Sequence, residues 1–253
     1  MNILFTICGR AGSKGIKSKN SKEFLGYPLP FYTFSAIDLF MNEHPEHECD
    51  IVLNTDSEQL MDIAKKFHRK VILQEREEGL AGDTAPKVAV IADCLEQMQK
   101  KNKKRYEMVV DLDLTSPLRT KKDLEALIEK KKEKDYDVVF SVTESRRNPY
   151  FNMVKKVGEY CEKVIKSDFT ARQQAPEMFD MNASLYAYSP EFLKAGKSLF
   201  DGKCGMIHMY DTGILDLDHE NDFVLMEVIA KYLFETNATF SEIEKHISGC
   251  CDL

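Results

Sequence analysis

Short runs of apolar, β-favouring residues alternate along this chain with longer stretches of helical period, and that rhythm narrows the possible folds more than any other feature. The run Ile3-Leu4-Phe5-Thr6-Ile7-Cys8 ends at Gly9, as buried strands of parallel sheets do. A helix is expected over residues 31–41 and a second strand over 50–54. Leu60, Ile63, Ala64 and Phe67 then fall at i, i+3, i+4 and i+7, with Asp56 or Ser57 as N-cap. Strands over 71–73, 108–112 and 138–142 alternate with helices over 88–98 and 121–132. This βαβα order implies an α/β layer fold around a mainly parallel sheet with right-handed crossovers. Ligands of such sheets bind beyond the carboxyl ends of the strands, which singles out the loops after Cys8, Asn54, Leu112 and Ile214.

The rhythm breaks over residues 145–180, which mix Arg146, Arg147 and Pro149 with strand-like pieces at 153–157 and 161–165 and the polar run Arg172-Gln173-Gln174. Residues 183–188 resume a strand, 207–217 suggest further strands, and 222–234 read as a well-buried terminal helix. With no internal repeat or low-complexity linker, the chain is read as one domain, residues 1–144 and 181–253, carrying an inserted arm at 145–180. Its 253 residues are ample for a full core. The balance of 35 basic and 42 acidic residues, net −7, argues against general nucleic-acid or membrane binding, although a local basic cluster can still hold a phosphate. Seven cysteines, without a C-x-x-C pair, fit neither a zinc site nor a disulfide framework, so reduced, mostly buried thiols in a cytoplasmic protein are expected. The N-terminal apolar run is too short for a secretory signal, and no stretch approaches the roughly 20 residues of a membrane span. The sequon Asn237-Ala238-Thr239 carries no meaning in such a compartment.

Four segments carry chemistry. Gly9-Arg10-Ala11-Gly12-Ser13-Lys14-Gly15, with Lys17, Lys19 and Asn20, follows the first strand. Its glycines let backbone N–H groups approach an anion, and Arg10, Lys14 and Lys19 add positive charge. It is neither a P-loop nor a dinucleotide turn, and it is read either as a phosphate cradle or as a solvated turn. Asp111 and Asp113 share one face at a strand end, which suits magnesium; alternatively they accept backbone N–H bonds in the turn before Pro117. Arg119 beyond them either holds a carboxylate bidentately or pairs with an acid. Asp216 and Asp218 repeat the i, i+2 arrangement at a strand–helix junction, as a magnesium–nucleotide clamp or as helix N-terminal acids. Arg172-Gln173 with Asn182 to Tyr186 suits a polyhydroxylated, carboxylated small molecule or a plain surface hairpin. His208 and His219 lack metal or triad spacing, and no G-x-S-x-G nucleophile motif occurs.

In this order the segments resemble the CMP–sialic acid synthetases (acylneuraminate cytidylyltransferases). The resemblance rests on Arg10-x-Gly12-Ser13-Lys14-Gly15 with Lys19-Asn20, Asn54-Thr55-Asp56, Arg76, Leu80-Ala81-Gly82-Asp83-Thr84, Thr115-Ser116-Pro117-Leu118-Arg119, Arg172-Gln173, Asn182 to Tyr186 and Asp216-Leu217-Asp218. It implies a Rossmann-like, glycosyltransferase-A-type nucleotidyltransferase sheet and a homodimer whose arm, residues 145–180, reaches the partner's site. The implied reaction joins CTP to a nonulosonic sugar acid and releases pyrophosphate, with Mg2+ as cofactor. By position, Arg10, Ser13 and Lys14 bind the triphosphate and Lys19 aids the transition state. Asn20, Arg76 and Ala81 hold the cytidine. Asp216 and Asp218, with Asp111, hold the metal, while Asp113, Ser116, Arg119, Arg172, Gln173 and Tyr186 face the sugar acid.

The chain departs from that family where Asp111-Leu112-Asp113-Leu114 stands in place of the usual Leu-Leu-Gln-Pro, so Asp113 replaces a sugar-contacting glutamine. A carboxylate only accepts hydrogen bonds where an amide also donates. Asn182-Ala183-Ser184 likewise replaces Asn-Gly-Ala. Both changes point away from N-acetylneuraminic acid and toward a legionaminic-type nonulosonate. The rivals are activation of the eight-carbon acid Kdo and a catalytically silent nucleotide- or sugar-binding module; intact Arg10, Lys19, Asp216 and Asp218 argue against the latter.

Overall fold

The computed structural model describes residues 1–12, 16, 18–82, 85–212, 217 and 219–250, the Cys250 side chain excepted. In chain order the strands are β1 Asn2–Gly9, β2 Glu23–Phe24, β3 Tyr27–Pro28, β4 Glu48–Thr55, β5 Ile72–Glu75, β6 Met108–Leu112, β7 Val138–Glu144, β8 Val154–Val157, β9 Tyr160–Lys163, β10 Phe179–Tyr188 and β11 Cys204–His208. The helices are α1 Leu29–Glu43, α2 Glu58–Lys65, α3 Lys87–Asn102, α4 Lys121–Glu133, α5 Pro190–Lys194, α6 Glu220–Thr236 and α7 Ala238–Cys250.

Alternation along β1 decides the layers. Ile3, Phe5 and Ile7 join Ile51 and Leu53 of β4 and Met108 and Val110 of β6 in a core shared with α1, α2, α4, α6 and α7. Leu4, Val52 and Val109 face the opposite way, onto Ile91, Cys94, Leu95 and Met98 of α3 and Phe192 and Leu193 of α5. A strand buried on both faces is apolar at nearly every position, which explains the run at residues 3–8, where Thr6 alone is polar and finds a partner in Asp111. The sheet order is β11-β7-β10-β6-β1-β4-β5. Within this seven-stranded sheet only β10 runs antiparallel, to both β6 and β7, and the other pairings are parallel, as the mainly parallel α/β reading expects.

Two expectations near the C-terminus are corrected. The helix at 222–234 is neither terminal nor well buried: α7 follows it, and Val224, Val228 and Tyr232 are exposed, Val228 at 61%. Asn237 separates the two helices by accepting hydrogen bonds at Oδ1 from Thr239 N and Oγ1. The cysteines are also less buried than expected. Among the five described without a disulfide, Cys94 is buried, Cys161 is exposed, and the rest lie between. Of the strands expected over 207–217, β11 covers the beginning, and residues 213–216 lie outside the described set.

Between β7 and β10 the chain leaves the sheet. Strands β8 and β9 pair as an antiparallel hairpin whose turn is opened by Gly158 at a φ of 63°. Its foot is tied by Ser145 N donating to Met178 O and Asn148 Nδ2 donating to Pro176 O.

Gly9 ends β1 where the loops after β1 and β6 meet. A Cβ there would stand 2.6 Å from Leu60 Cδ2 and 2.7 Å from Leu114 Cδ1. Gly9→Ala is expected to destabilise the protein by about 1–3 kcal/mol, because two buried leucines must leave their packing. An unchanged urea midpoint would show that both leucines yield freely.

Candidate functional site

The carboxyl ends of β5, β4, β1 and β6 stand side by side, and most of the described candidate residues lie on this edge. Gly9 lies beside Thr55 in the β1–β4 register. Asp56, one of two candidate caps for α2, leaves that role to Ser57, whose Oγ accepts from Leu60 N. Asp56 instead accepts from Ala11 N at 2.7 Å and so fastens the loop after β1 to the loop after β4. Asn20 Nδ2 donates to the Arg10 carbonyl at 3.2 Å, and Lys19 opens a single 3-10 turn, Lys19–Ser21. Arg76 Nε donates to Asn54 Oδ1 at 2.7 Å and Nη2 to the Asn54 carbonyl at 3.1 Å. Ala81 is half-buried in the short turn after β5. Ser13, Lys14, Asp216 and Asp218 lie outside the described residues.

The end of β6 holds a buried charge network. Asp111 is fully buried; its Oδ1 accepts from Thr6 Oγ1 at 2.9 Å, and its Oδ2 lies 2.9 Å from Lys87 Nζ. The same ammonium donates to Asp113 Oδ2 at 2.8 Å. Asp113 Oδ1 accepts from Thr115 N and Oγ1, at 2.9 and 2.7 Å. Sequence reading had left open whether this pair holds magnesium or serves the turn before Pro117, and had then assigned Asp111 to the metal. Here Asp111 Oδ1 is held by Thr6, Oδ2 is paired with Lys87, and the cation between the two carboxylates is an ammonium of this chain.

Burial opposes the charge on Asp113, but Lys87 and the Thr115 hydrogen bonds prevail and hold its carboxyl well below the usual range. Burial likewise works against the Lys87 ammonium, yet Asp111 and Asp113 raise it well above its ordinary value. Lys87 begins α3 and lies far from both acids in sequence, so only the topology reveals it. Its Nζ also stands 5.8 Å from the centroid of the Tyr186 ring, on the strand paired opposite Asp111. Asp111, Asp113, Lys87 and Tyr186 therefore form one cluster. Cys8 lies beside it, but a hydrogen bond with Cys94, followed by burial, raises its thiol well above the ordinary value, so it is no nucleophile at neutral pH.

Arg119, expected to face the sugar acid, lies inside the protein. Its exposure is 0%, and Nη2 donates to the carbonyls of Asp113 and Ser116, the latter at 2.6 Å. Burial pushes its guanidinium down to about 10, so it stays charged at neutral pH. Ser116 is half-buried beside it. Arg172 and Gln173 do not join the Tyr186 cluster. They line a separate cavity of about 330 Å³ at the foot of the β8–β9 excursion, where Arg172 Nη2 donates to the Ser145 carbonyl at 2.7 Å. His208 packs edge-on against Phe179, and His219 caps α6, its N–H donating to Asp222 Oδ2 at 2.7 Å. At Ala183 the backbone turns left-handed, φ 52°, within the irregular stretch of β10 that aims the Ser184 carbonyl at Asp113 N, 3.1 Å away.

A family profile described as Cytidylyltransferase matches residues 4–206, a span that contains every described element of this edge. The chain belongs to the cytidylyltransferase family. It is 35% identical over 229 residues to a post-translational flagellin modification protein B of Campylobacter coli, covering 90% of this chain and 95% of that protein. It is 34% identical to a CMP-N,N'-diacetyllegionaminic acid synthase of Campylobacter jejuni, covering 90% and 94% of the two chains. A pseudaminic acid cytidylyltransferase of Campylobacter jejuni is 33% identical, with 93% and 99% covered. Among solved structures, a CMP–2-keto-3-deoxy-manno-octonic acid synthetase complexed with CTP superposes with a TM-score of 0.63 at 14% identity, covering 93% of this chain and 100% of that one. At that identity the likeness shows the shared fold alone. The enzyme is thus a nucleotidyltransferase with a mainly parallel Rossmann-like sheet. Among the described residues, no helix is long and apolar enough to cross a membrane.

In this cytidylyltransferase Lys87→Met is expected to cost about 2–3 kcal/mol at pH 7. That is the low end for breaking a buried pair, since Lys87 is partly open to solvent. The folded-state carboxyl of Asp113 is depressed, so its contribution is full above the unfolded carboxyl value of about 4 and is lost as pH falls below it. The variant leaves two carboxylates facing each other, and protonation relieves them. Its penalty should therefore shrink between pH 7 and pH 4 in paired urea titrations, and an equal penalty at both pH values would contradict the pairing.

Proposed function

We propose that this cytidylyltransferase couples CTP to a nonulosonic acid of the legionaminic type, giving the CMP-sugar and pyrophosphate. The observation that carries the reading is the near full-length similarity to a CMP-N,N'-diacetyllegionaminic acid synthase, at 34% identity. The Asp113–Lys87 pair, with Asp113 standing where the glutamine of the sialic-type pattern is expected, supports it. Lys87 neutralises Asp113 and keeps a donating ammonium at the Tyr186 side of the edge, so donor and acceptor are both present for a sugar acid bearing N-acyl groups.

The anomeric hydroxyl attacks the α-phosphorus of CTP and the bond to pyrophosphate breaks. Negative charge collects on the phosphoryl and leaving oxygens, and positive groups fixed around them lower the barrier. Arg10, Ser13 and Lys14 are assigned to the triphosphate, Lys19 to the developing charge, and Asn20, Arg76 and Ala81 to the cytidine. Asp216 and Asp218 are hard oxygen donors suited to Mg2+, which supplies further charge neutralisation when bound. Arg172 and Gln173, at the foot of the excursion, are assigned to the sugar acid. Their separation from Tyr186 within one chain fits a homodimer in which residues 145–180 of one copy complete the site of the other. The exposed Val154 and Tyr160 (80% exposed) are the apolar surface that such an arm would bury. The need for CTP places the reaction in the cytoplasm.

Initial rates of pyrophosphate release with CTP and Mg2+ test the reading. N,N'-diacetyllegionaminate is expected to give the highest kcat/KM, above pseudaminate, N-acetylneuraminate and Kdo. Fastest turnover of N-acetylneuraminate would overturn the sugar assignment, and no release with any acid would favour a silent binding module. Asp218→Asn should lower turnover at least about a hundredfold with the circular dichroism spectrum unchanged.

A further inference from the structure

On the face of the sheet that packs α1, away from the strand ends, three elements converge on one carboxylate. Asp38 of α1 is buried at 0% exposure. Its Oδ2 lies 2.8 Å from Nε2 of His68, just past α2, and 2.9 Å from Nε2 of His246 on α7. Arg69 Nε donates to the other oxygen, Oδ1, while Arg69 Nη2 donates to Asn42 Oδ1 at 2.6 Å. The donor atoms of Asp38, His68 and His246 all lie within 4.8 Å of one another, and the two imidazole rings are 5.8 Å apart.

A buried carboxylate needs a counter-charge, and Arg69 already supplies it. The two histidines are therefore not required to balance Asp38. With the ring proton on Nδ1, each imidazole turns the lone pair of Nε2 toward a cation, and two such nitrogens beside one carboxylate oxygen are the donor set of a divalent transition ion rather than of magnesium or calcium. Zinc bonds of about 2.0–2.2 Å at tetrahedral angles separate neighbouring donors by about 3.3 Å. The two oxygen–nitrogen distances, 2.8 and 2.9 Å, therefore need to open by only about half an ångström, and the two imidazole nitrogens already lie within 4.8 Å of each other. Arg69 on Oδ1 fixes the carboxylate for coordination through Oδ2 alone, the outer contact that orients a metal-binding carboxylate. His68, 40% exposed through its side chain, provides the approach from solvent and room for a water as fourth ligand, whereas His246 is 13% exposed. Glu242, one turn earlier on α7, adds nearby negative charge.

We propose that Asp38, His68 and His246 form a binding site for a zinc-like divalent ion that fastens α7 to α1 and to the end of α2. No residue assigned to CTP or the sugar acid takes part, so the site is structural and separate from the catalytic magnesium.

The test uses the full chain, stripped with chelator and titrated with ZnCl2 or CoCl2. One equivalent is expected to bind. Cobalt should develop the visible bands of a four-coordinate nitrogen–oxygen site, and zinc at a hundredfold excess over its dissociation constant should raise Tm by about 5 °C or more. His68→Gln and His246→Gln should each abolish the cobalt bands and most of the Tm shift while leaving CTP-dependent pyrophosphate release unchanged. The absence of stoichiometric binding to the wild-type chain would overturn the proposal. So would cobalt bands that survive in both variants, since the ion would then sit elsewhere, on cysteines or on the catalytic acids. His68→Gln keeps the test open should His246→Gln fail to fold, because His68 lies at the surface end of the cluster.

Discussion

The loop that leaves β6 depends on a buried electrostatic balance. Two cations, Lys87 and Arg119, stand against Asp111, Asp113 and a pair of backbone carbonyls at the end of the central strand. Arg119 has no exposed surface, so the interior accepts its charge only because carbonyl oxygens and nearby carboxylates surround it. Lys87 performs the matching task for the acids. Between them they set the backbone course from Asp113 to Arg119, and that course puts Leu114 against Gly9 and closes the edge where β1 and β6 meet. The chain uses fixed internal charge here, where an apolar plug would leave the Asp113 and Ser116 carbonyls without donors.

That arrangement also shows where sequence reading succeeds and where it stops. The parallel α/β sheet was legible because strands buried on both faces are apolar at nearly every position, and residues 3–8 and 108–112 carry that pattern apart from the hydrogen-bonded pair Thr6 and Asp111. The ends of the strands were legible as the ligand edge for the same topological reason. For Arg119 the residue type leaves alternatives open, because a guanidinium that grips a carboxylate and one that grips two backbone carbonyls present the same donors; burial and contacts place it against the carbonyls. Lys87 was missed because no local pattern links it to Asp111 and Asp113, which it reaches when the start of α3 packs beside the end of β6. Helix α7 was missed for a different reason. Its buried positions, Phe240, Ile243 and Ile247, have helical spacing but are diluted by polar neighbours. The apolar character of α6 was taken as burial, yet tertiary packing uses one side of that helix and leaves Val224, Val228 and Tyr232 outside.

A chain of net charge −7 that acts on a triphosphate has to keep its cations where the phosphates go. At the described strand ends several are already committed elsewhere: Lys87 to two carboxylates, Arg119 to carbonyls, and Arg76 to Asn54. Each of these fixes the backbone or side chains at the carboxyl ends of the strands. On the proposed reading the triphosphate is then left to the segment from Arg10 to Lys19, with Asp216 and Asp218 acting through magnesium. The division has a physical logic. Binding a base or sugar calls for preformed hydrogen-bonding geometry, which buried ion pairs maintain, whereas a highly charged leaving group calls for positive charge gathered at the phosphates. A cation drawn from the Lys87–Asp111–Asp113 network to serve the phosphates would strand a fully buried carboxylate, so the two tasks are assigned to different residues.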